Sequence, residues 1–265
     1  MNLNGEIVIV TGGVGLLGQE YCKAIQEIGG EPITLDIATD YIKSVGKAYH
    51  CDITIEENIE HILEYIKEDF PNQSIYGLIN NAAIDPKFQK DSIQTNQSRL
   101  ENYDLAQWNR EIAVGLTGAF LCTKHFAPEM ARHGRGSIIN ISSVLGLIAP
   151  NQALYADPGA IGGYPTDEQV VKPVTYSVLK HAIIGLTRYT ATYYGNKGVR
   201  CNALAPGGVF NNHSEEFVQK LSKLIPLSKM ADKTSYNEAI KFLLTDASAY
   251  MTGATLVMDG GMSAW

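Results

Sequence analysis

Two residues four positions apart, Tyr176 and Lys180, have the types and the spacing needed for proton transfer. On a helix, positions i and i+4 lie on one face, so both side chains can enter one pocket. A phenol can exchange a proton with a substrate hydroxyl, and a neighbouring ammonium favours its ionised form. Alone the pair is a weak signal, because most such matches are a half-buried tyrosine and a solvated lysine. Ser143 upstream and a glycine-rich turn near the N-terminus complete a set suited to hydride transfer.

The glycine-rich turn lies between a predicted buried strand and a predicted helix. Gly13, Gly15 and Gly18 form the pattern Gly-x-Gly-x-x-Gly. In this context the glycines permit a tight turn and a close approach of the backbone to a pyrophosphate, which then lies at the positive end of the helix. The pattern therefore predicts a dinucleotide site, with a glycine turn that holds no ligand as the alternative.

Two aspartates follow later predicted strands and bear on the choice of dinucleotide. Asp36 ends the second strand, where its carboxylate can accept hydrogen bonds from both ribose hydroxyls and would repel a 2′-phosphate. This favours NAD(H) over NADP, and the nearest downstream basic residue is Lys43. Asp52, after the third strand, is suited to meet the adenine amino group, although it equally fits a turn acid ahead of Thr54.

Predicted strands and helices alternate along the chain. Short β-branched runs predict the strands, and longer amphipathic stretches predict the helices. The alternation indicates one α/β domain over residues 1–265, a Rossmann-type doubly wound parallel sheet with helices on both faces. The predicted strands are residues 6–10, 32–36, 47–51, 76–80, 137–142, 199–203 and 255–259, and the predicted helices are residues 16–28, 58–68, 105–132 and 175–194.

The composition narrows the class of partner and compartment. The 265 residues include 21 basic and 28 acidic side chains, a net charge of −7. Nucleic acids and anionic membranes need basic surface, so neither is expected as a partner. No apolar run is long enough to span a bilayer and no signal peptide is visible, which favours the cytoplasm. The four scattered cysteines are expected to be small buried residues in a reducing compartment, and neither they nor the histidines show metal-ligand spacing, so no metal site is expected.

Further motifs accompany these residues. Asn80-Asn81-Ala82-Ala83 follows the fourth predicted strand, Pro206-Gly207-Gly208-Val209 follows the sixth, and Asp259-Gly260-Gly261 ends the last. With the tyrosine, lysine and serine they resemble the short-chain dehydrogenase/reductase family along nearly the whole chain. The resemblance implies that Ser143, rather than Ser142, acts with Tyr176 and Lys180 as catalytic residues. It implies an NAD(H) site formed by Gly12, Gly15, Leu16, Leu17, Gly18, Asp36, Asp52, Ile53, Asn80, Ala82, Tyr176, Lys180, Pro206, Gly207 and Val209.

The chain departs from the family pattern in four places, one of them Asn211, which stands where a threonine usually bonds the cofactor. The middle glycine of the turn is Gly15, whereas the family's usual position falls on Leu16. Gly115 stands where the family has a helix asparagine that kinks the long helix and positions a water beside the lysine, so that amide is missing here. Between Ser143 and Tyr176 the chain is longer than the family pattern, which implies an insertion at about residues 147–173.

The insertion is the expected substrate loop. Its polar side chains suit a hydroxyl-rich ligand better than an acyl chain, and the alternative is that it covers a sheet edge or builds a subunit contact. The chain also resembles family members associated with bacterial surface-sugar and flagellin-glycan synthesis, which implies reaction at a secondary carbon of a sugar or nucleotide-activated sugar. The candidate substrate contacts are Tyr155 and His213. The polar loop residues include Asn151, Gln152, Tyr155, Asp157, Tyr164, Thr166, Asp167, Glu168 and Gln169.

Three other functions stay open. One is a 3-oxoacyl-thioester-type reductase, and another is a non-catalytic NAD(H)-binding sensor or scaffold, because a fold does not fix a function. An epimerase or dehydratase of nucleotide sugars fits the variant glycine turn but not the length of the chain. The family resemblance also implies a homo-oligomer, a tetramer or dimer packed through the helices predicted at residues 105–132 and 175–194.

Overall fold

A computed structural model describes residues 2–38, 45–85, 97–156, 165–166 and 169–265. Within them, seven strands form one parallel sheet in the order β3-β2-β1-β4-β5-β6-β7. The strands are β1 (Ile7–Thr11), β2 (Glu31–Asp36), β3 (Lys47–His50), β4 (Ile75–Asn80), β5 (Gly136–Ile141), β6 (Val199–Pro206) and β7 (Thr255–Met258). The α-helices are α1 (Leu16–Glu27), α2 (Glu56–Asp69), α3 (Leu105–Ile112), α4 (Gly118–Arg132), α5 (Val174–Tyr194), α6 (Glu215–Ser222) and α7 (Asn237–Leu244).

Helices cover the sheet on both faces, as the alternation of elements predicts. Successive side chains of a strand point to opposite faces. In β1, Ile7 and Ile9 pack with apolar residues of α2 and α4, whereas Val8 and Val10 pack with those of α1 and α7. All five residues of β1 are buried, which explains why this strand appears in the sequence as a continuous β-branched run.

The strand order creates a crevice suited to a ligand at the carboxyl ends of the central strands. From β1 the chain runs outward through β2 to β3, and then returns to the other side of β1 as β4. The connections after β1 and β4 therefore leave the sheet in opposite directions, and the crevice between them lies at the carboxyl ends of the strands. The glycine turn follows β1, and the Asn80-Asn81 segment ends β4.

The long helix predicted at residues 105–132 is interrupted. Its ends form α3 and α4, and between them residues Ala113–Thr117 form a π-helical turn. Gly115 lies at the centre of this turn and is buried. The irregularity that the family asparagine accompanies is thus present here without the asparagine.

Two short helices near the C-terminus were not among the predicted elements. α6 covers the carboxyl ends of β6 and β7 through Leu221, which packs with Val144 and Met262. α7 packs beside α1 on the other face of the sheet. Among the residues that the structure describes, no helix combines the length and apolar character needed to cross a bilayer.

Candidate active site

The glycine turn is built by close backbone contacts. Gly12 has a φ of +64°, in the left-handed region that favours glycine, and its backbone packs against Ala82. A Cβ at Gly18 would lie 2.3 Å from the Gly12 carbonyl oxygen, so the start of α1 can approach the turn only without a side chain there. Gly15 is the N-cap of α1 and provides no side-chain cap. The first-turn N–H groups therefore remain available for an anion such as a phosphate.

The two asparagines at the end of β4 bond different parts of the protein: Asn81 bonds the glycine turn, and Asn80 bonds the core. Asn81 braces the glycine turn, because its amide donates to the carbonyl oxygens of Thr11 (3.0 Å) and Gly12 (3.1 Å). Asn80 instead points into the protein, where its amide donates to Asn140 Oδ1 at 2.8 Å and Thr123 Oγ1 at 3.2 Å. Asn80 therefore supports the sheet beneath the site, and its role as a direct cofactor contact stays a prediction.

The two aspartates of the predicted dinucleotide site end their strands as expected. Asp36 accepts hydrogen bonds from the backbone N–H of Val14 (3.1 Å) and of Ala38 (2.9 Å), one on each carboxylate oxygen. Each oxygen keeps a second lone pair that can accept from a ribose hydroxyl. Asp52 accepts from both the N–H and the hydroxyl of Thr54, at 2.9 and 2.7 Å. The Asp52 carboxylate thus stabilises a turn with Thr54, which was the alternative role predicted for this residue.

Tyr176 and Lys180 lie on one face of α5, beside the turn that carries Ser143. Lys180 is buried and its ammonium donates to the Ile141 carbonyl at 2.7 Å, which ties it to the end of β5. Ser142 donates to the Lys180 carbonyl at 2.7 Å, a structural contact between the serine turn and α5. Ser143 is buried, its hydroxyl accepts from the Leu145 N–H at 3.2 Å, and it acts to lower the pKa of Tyr176.

Burial dominates the ionisation of both side chains. Burial and the nearby Asp85 carboxylate together raise the pKa of Tyr176 to about 12, against the opposing effect of Ser143. Burial lowers the pKa of Lys180 to about 8, with Lys172 acting in the same direction and Asp85 against it. The expectation that Lys180 brings the tyrosine pKa down toward working pH is therefore wrong for the chain by itself. Burial thus favours the neutral form of both side chains, because it raises the pKa of Tyr176 and lowers the pKa of Lys180.

One cavity of about 850 Å³ joins the glycine turn to the tyrosine. Gly18 and Asn80 are the predicted site residues that do not line it. Those that do are Gly12, Gly15, Leu16, Leu17, Asp36, Asp52, Ile53, Ala82, Ser143, Tyr155, Tyr176, Lys180, Pro206, Gly207, Val209 and His213.

The end of the cavity beyond Tyr176 has an aromatic wall. The His213 ring stacks on Phe217 with centroids 5.1 Å apart and an interplanar angle of 17°. Tyr155 leans on the same phenylalanine at 5.8 Å. Burial raises the pKa of Tyr155, so this phenol stays protonated. The wall continues in apolar side chains of Val144, Leu145, Leu154, Leu221, Met230 and Met262.

The described part of the loop at residues 147–173 gives the cavity both polar and apolar side chains. Among its described residues, Asn151, Tyr155 and Lys172 are the polar ones on the cavity wall, next to apolar Pro150 and Leu154. Other polar residues on which the sugar prediction depends lie outside the described residues, namely Asp157, Tyr164, Asp167 and Glu168.

Several cavity residues were not found from the sequence. Lys172 and Asp85 form an ion pair of 2.7 Å at the mouth, although 87 positions separate them in the chain. Arg110 of α3 and Phe217 of α6 also line the cavity. Lys172 precedes Tyr176 by four positions, as Tyr176 precedes Lys180. Because α5 begins only at Val174, helical periodicity does not predict that Lys172 lies near the Tyr176 ring.

The arrangement can hold a dinucleotide and move a proton. A helix N-terminus without a side-chain cap fits a pyrophosphate, and an acid at the end of β2 fits a ribose. Ser143 and Tyr176 line the same cavity as the glycine turn and Asp36. Among the described residues, the one cluster with metal-ligand geometry, Glu56, Glu60 and His125, lies away from this cavity, and Lys124 also pairs with Glu56.

Comparison with known proteins agrees with this geometry. A family model described as short chain dehydrogenase matches residues 6–156, and one described as enoyl-(acyl carrier protein) reductase matches residues 165–263. The chain belongs to the short-chain dehydrogenase/reductase family. Members bind nicotinamide cofactors and act on alcohol or ketone carbons, so the prediction of a single-domain Rossmann-type oxidoreductase is confirmed at this level.

Individual family members resemble the chain over its full length. It is 28% identical to 2,5-dichloro-2,5-cyclohexadiene-1,4-diol dehydrogenase of Sphingobium indicum, over 99% of both chains. It is also 28% identical to cis-4-hydroxycyclohexanecarboxylate dehydrogenase of Sinomonas cyclohexanicum, over 98% of this chain and 97% of that one. The crystal structure of a family member from Leptospira borgpetersenii with bound NAD+ superposes with a TM-score of 0.81, at 26% identity, over 99% of this chain and 94% of that one.

Proposed function

We propose that the chain is an NAD(H)-dependent oxidoreductase that transfers hydride to or from a secondary carbon of a polar ring compound, a sugar or a related cyclic alcohol. The observation that carries this proposal is the single cavity that has the glycine turn and Asp36 at one end and Ser143, Tyr176 and Lys180 at the other. A non-catalytic sensor would need the first end alone.

In the proposed mechanism, the chain's own residues manage the substrate oxygen and its proton. Ser143 holds the reacting oxygen by a hydrogen bond while charge develops on it. Tyr176 accepts the hydroxyl proton during oxidation and returns it during reduction. Lys180 supplies positive charge beside the tyrosine and a donor for the ribose. Bound NAD would supply the hydride acceptor, and its positively charged ring would favour the phenolate.

Asp36 supports NAD rather than NADP as the cofactor. Its carboxylate lines the cavity beside Leu35 and Ile37, and no lysine or arginine lies on this part of the wall among the described residues. A 2′-phosphate placed here would meet a negative charge with no counter-ion. Lys43, the nearest downstream basic residue, lies outside the described residues.

The shape of the far end supports a ring as the substrate. The His213–Phe217 stack and the apolar wall suit the flat, less polar face of a six-membered ring. Tyr155, Asn151 and the Lys172–Asp85 pair can bond its hydroxyls. Two relatives at 28% identity are named for oxidation of ring alcohols, which favours the same class. A role in surface-sugar or flagellin-glycan synthesis stays a prediction within this class.

A direct test follows the absorbance of NADH with a substrate panel, as its formation from NAD with the alcohols and as its consumption with the ketones. The panel should contain sugars, sugar acids, nucleotide sugars, cyclohexanols, acetoacetyl thioesters and steroids. Turnover of a ring alcohol is the expected result. Activity confined to the thioesters would establish the acyl-thioester reductase instead, and tight NADH binding without turnover of any member would support the sensor.

The proposal includes a homo-oligomer formed through α4 and α5. Both helices leave large apolar side chains exposed on the isolated chain, including Phe120, Val178, Tyr189 and Tyr193. Light scattering after size exclusion should give a dimer or tetramer, and Phe120→Glu should shift the mass toward the monomer. A wild-type monomer at micromolar concentration would refute this part.

A further inference from the structure

The Tyr176 ring lies near two lysine ammonium groups. Lys180 Nζ is 5.8 Å from the ring centroid, whereas Lys172 Nζ is 3.9 Å away. A cation over an aromatic face is attracted by the ring electrons, and a cation near a phenol stabilises the negative charge that ionisation places on it. The closer of the two cations is therefore the one outside the family's Tyr-x-x-x-Lys motif.

Lys172 is fixed in this position from two sides. The Gln152 side chain accepts from the Lys172 N–H at 2.8 Å and donates to the Lys172 carbonyl at 3.2 Å. The ammonium donates to Asp85 Oδ1 at 2.7 Å. The Lys172 side chain is 15% exposed and that of Asp85 is 56% exposed. The pair is thus a dipole with its positive end at the tyrosine ring and its negative end toward solvent.

Other charged or titratable groups share this cavity with the pair. Lys180 comes from α5 itself, but its ammonium is directed to the Ile141 carbonyl. The remaining groups among the described cavity residues are Tyr155 from the loop, Arg110 from α3, His213 ahead of α6, and Asp36, Cys51 and Asp52 at the nucleotide end. After burial, the Asp85 carboxylate raises the pKa of Tyr176.

Building on the proposed acid/base role of Tyr176, we propose that Lys172 and Asp85 form a positioning charge pair that controls ionisation of the Tyr176 hydroxyl. Lys172 favours the phenolate and Asp85 opposes it. Because the two residues act with opposite signs, removing one charge at a time must move the titration of Tyr176 in opposite directions. If the pair only joined two loops, removing either charge would leave the titration of Tyr176 unchanged.

The test measures the ionisation of Tyr176 directly, so it needs no substrate. The protein is labelled with 3-fluorotyrosine, which titrates at lower pH than tyrosine, and the fluorine resonance of Tyr176 is assigned by its loss in Tyr176→Phe. Lys172→Met should raise the midpoint by about one pH unit, and Asp85→Asn should lower it by about half a unit. Lys172→Arg keeps the charge and should stay near the wild-type midpoint.

A matched control removes a different cation from tyrosine rings. Lys197 Nζ lies 5.1 Å from the ring centroids of Tyr193 and Tyr194, and Lys197 does not line the cavity. Lys197→Met should leave the Tyr176 midpoint unchanged. Shifts of the two pair variants in the same direction, or of neither beyond the Lys197→Met control, would overturn the inference.

The pH profile of kcat/KM for alcohol oxidation then separates this inference from the proposed function. If both hold, the profile moves with the fluorine midpoint in each variant. If the fluorine midpoint moves as stated while turnover ignores it, the charge pair stands and Tyr176 is not the acid/base.

Discussion

Leu179 fills the space that a side chain at position 115 would occupy. A Cβ placed on Gly115 would lie 2.4 Å from Leu179 Cδ2 and 2.9 Å from Cδ1. Leu179 is 1% exposed and packs with Ala119 and Ile183, so it has little freedom to move away. Where the family has the helix asparagine, the space is therefore filled by Leu179, the neighbour of Lys180, and the π-helical turn is formed around a glycine.

This relationship predicts that Gly115→Ala destabilises the protein by about 1–3 kcal/mol, because the added methyl group overpacks the contact with Leu179. Urea unfolding measures the change in the free energy of unfolding. Gly185→Ala is the matched control, since a Cβ at Gly185 meets nothing within 4 Å, and it should stabilise α5 by about 0.5–1 kcal/mol. In a Leu179→Ala background, Gly115→Ala should become neutral or stabilising. An equal cost in both backgrounds would show that Leu179 is not the cause.

We expect Lys180 to lower the stability of the protein, although the proposed reaction needs this residue. Burial lowers its pKa to about 8 from the ordinary lysine value of 10.5, so the unfolded chain binds more protons between these pH values and stability should rise with pH across that range. Lys180→Met removes a buried charge, which should raise the free energy of unfolding at pH 7 by about 2 kcal/mol after loss of the bond to Ile141. Urea unfolding at neutral and alkaline pH tests both statements.

The matched control for that experiment is Lys180→Arg, which keeps the charge and should bring no gain in stability. Suppose that Lys180→Met is less stable than the wild type at pH 7 and that its stability still rises with pH as in the wild type. This result would contradict the assignment of a destabilising buried ammonium. Turnover should be lost in either outcome.

Asp36 predicts the choice of cofactor. The wild type should prefer NAD to NADP by at least about tenfold in kcat/KM, roughly 1.4 kcal/mol. Asp36→Ala should narrow that gap mainly by weakening NAD, because the ribose hydroxyls lose their acceptor. Initial rates with both cofactors give the ratio. A wild type that prefers NADP would show that Asp36 does not face the ribose.

Features that depend on local chemistry were predictable from the sequence. The β-branched runs gave the strands because a parallel sheet buries both faces, and the glycine spacing gave the turn because Gly12 and Gly18 pack against backbone. The four cysteines are buried free thiols, as their scattered positions suggested. A sequence signal for α6 was also present. Ser214 caps α6 ahead of Glu215 and Glu216, but short helices give weak periodicity.

Features that depend on distant contacts were not predictable in this way. Lys172 lies outside α5 and Asp85 lies in a polar loop, so their meeting over Tyr176 follows from the tertiary fold alone. The pKa of Tyr176 was expected to fall because a lysine follows four positions later, whereas burial determines it. The apolar character of the substrate end likewise arises because α6 brings Phe217 and Leu221 against the loop.

The central claim is that Tyr176 exchanges the proton, and Tyr176→Phe tests it most directly. The ring still packs while the acid/base hydroxyl is gone, so NADH affinity should stay within about threefold of wild type and kcat should fall by about 10²–10⁴-fold. Tyr65→Phe, the same change at an exposed site on α2, is the control for the substitution itself. The measurement is steady-state turnover of the substrate found in the panel, with NADH affinity determined on the same preparations. Loss of turnover with retained NADH binding is the predicted result, and a Tyr176→Phe variant that keeps more than about a tenth of wild-type turnover would contradict it.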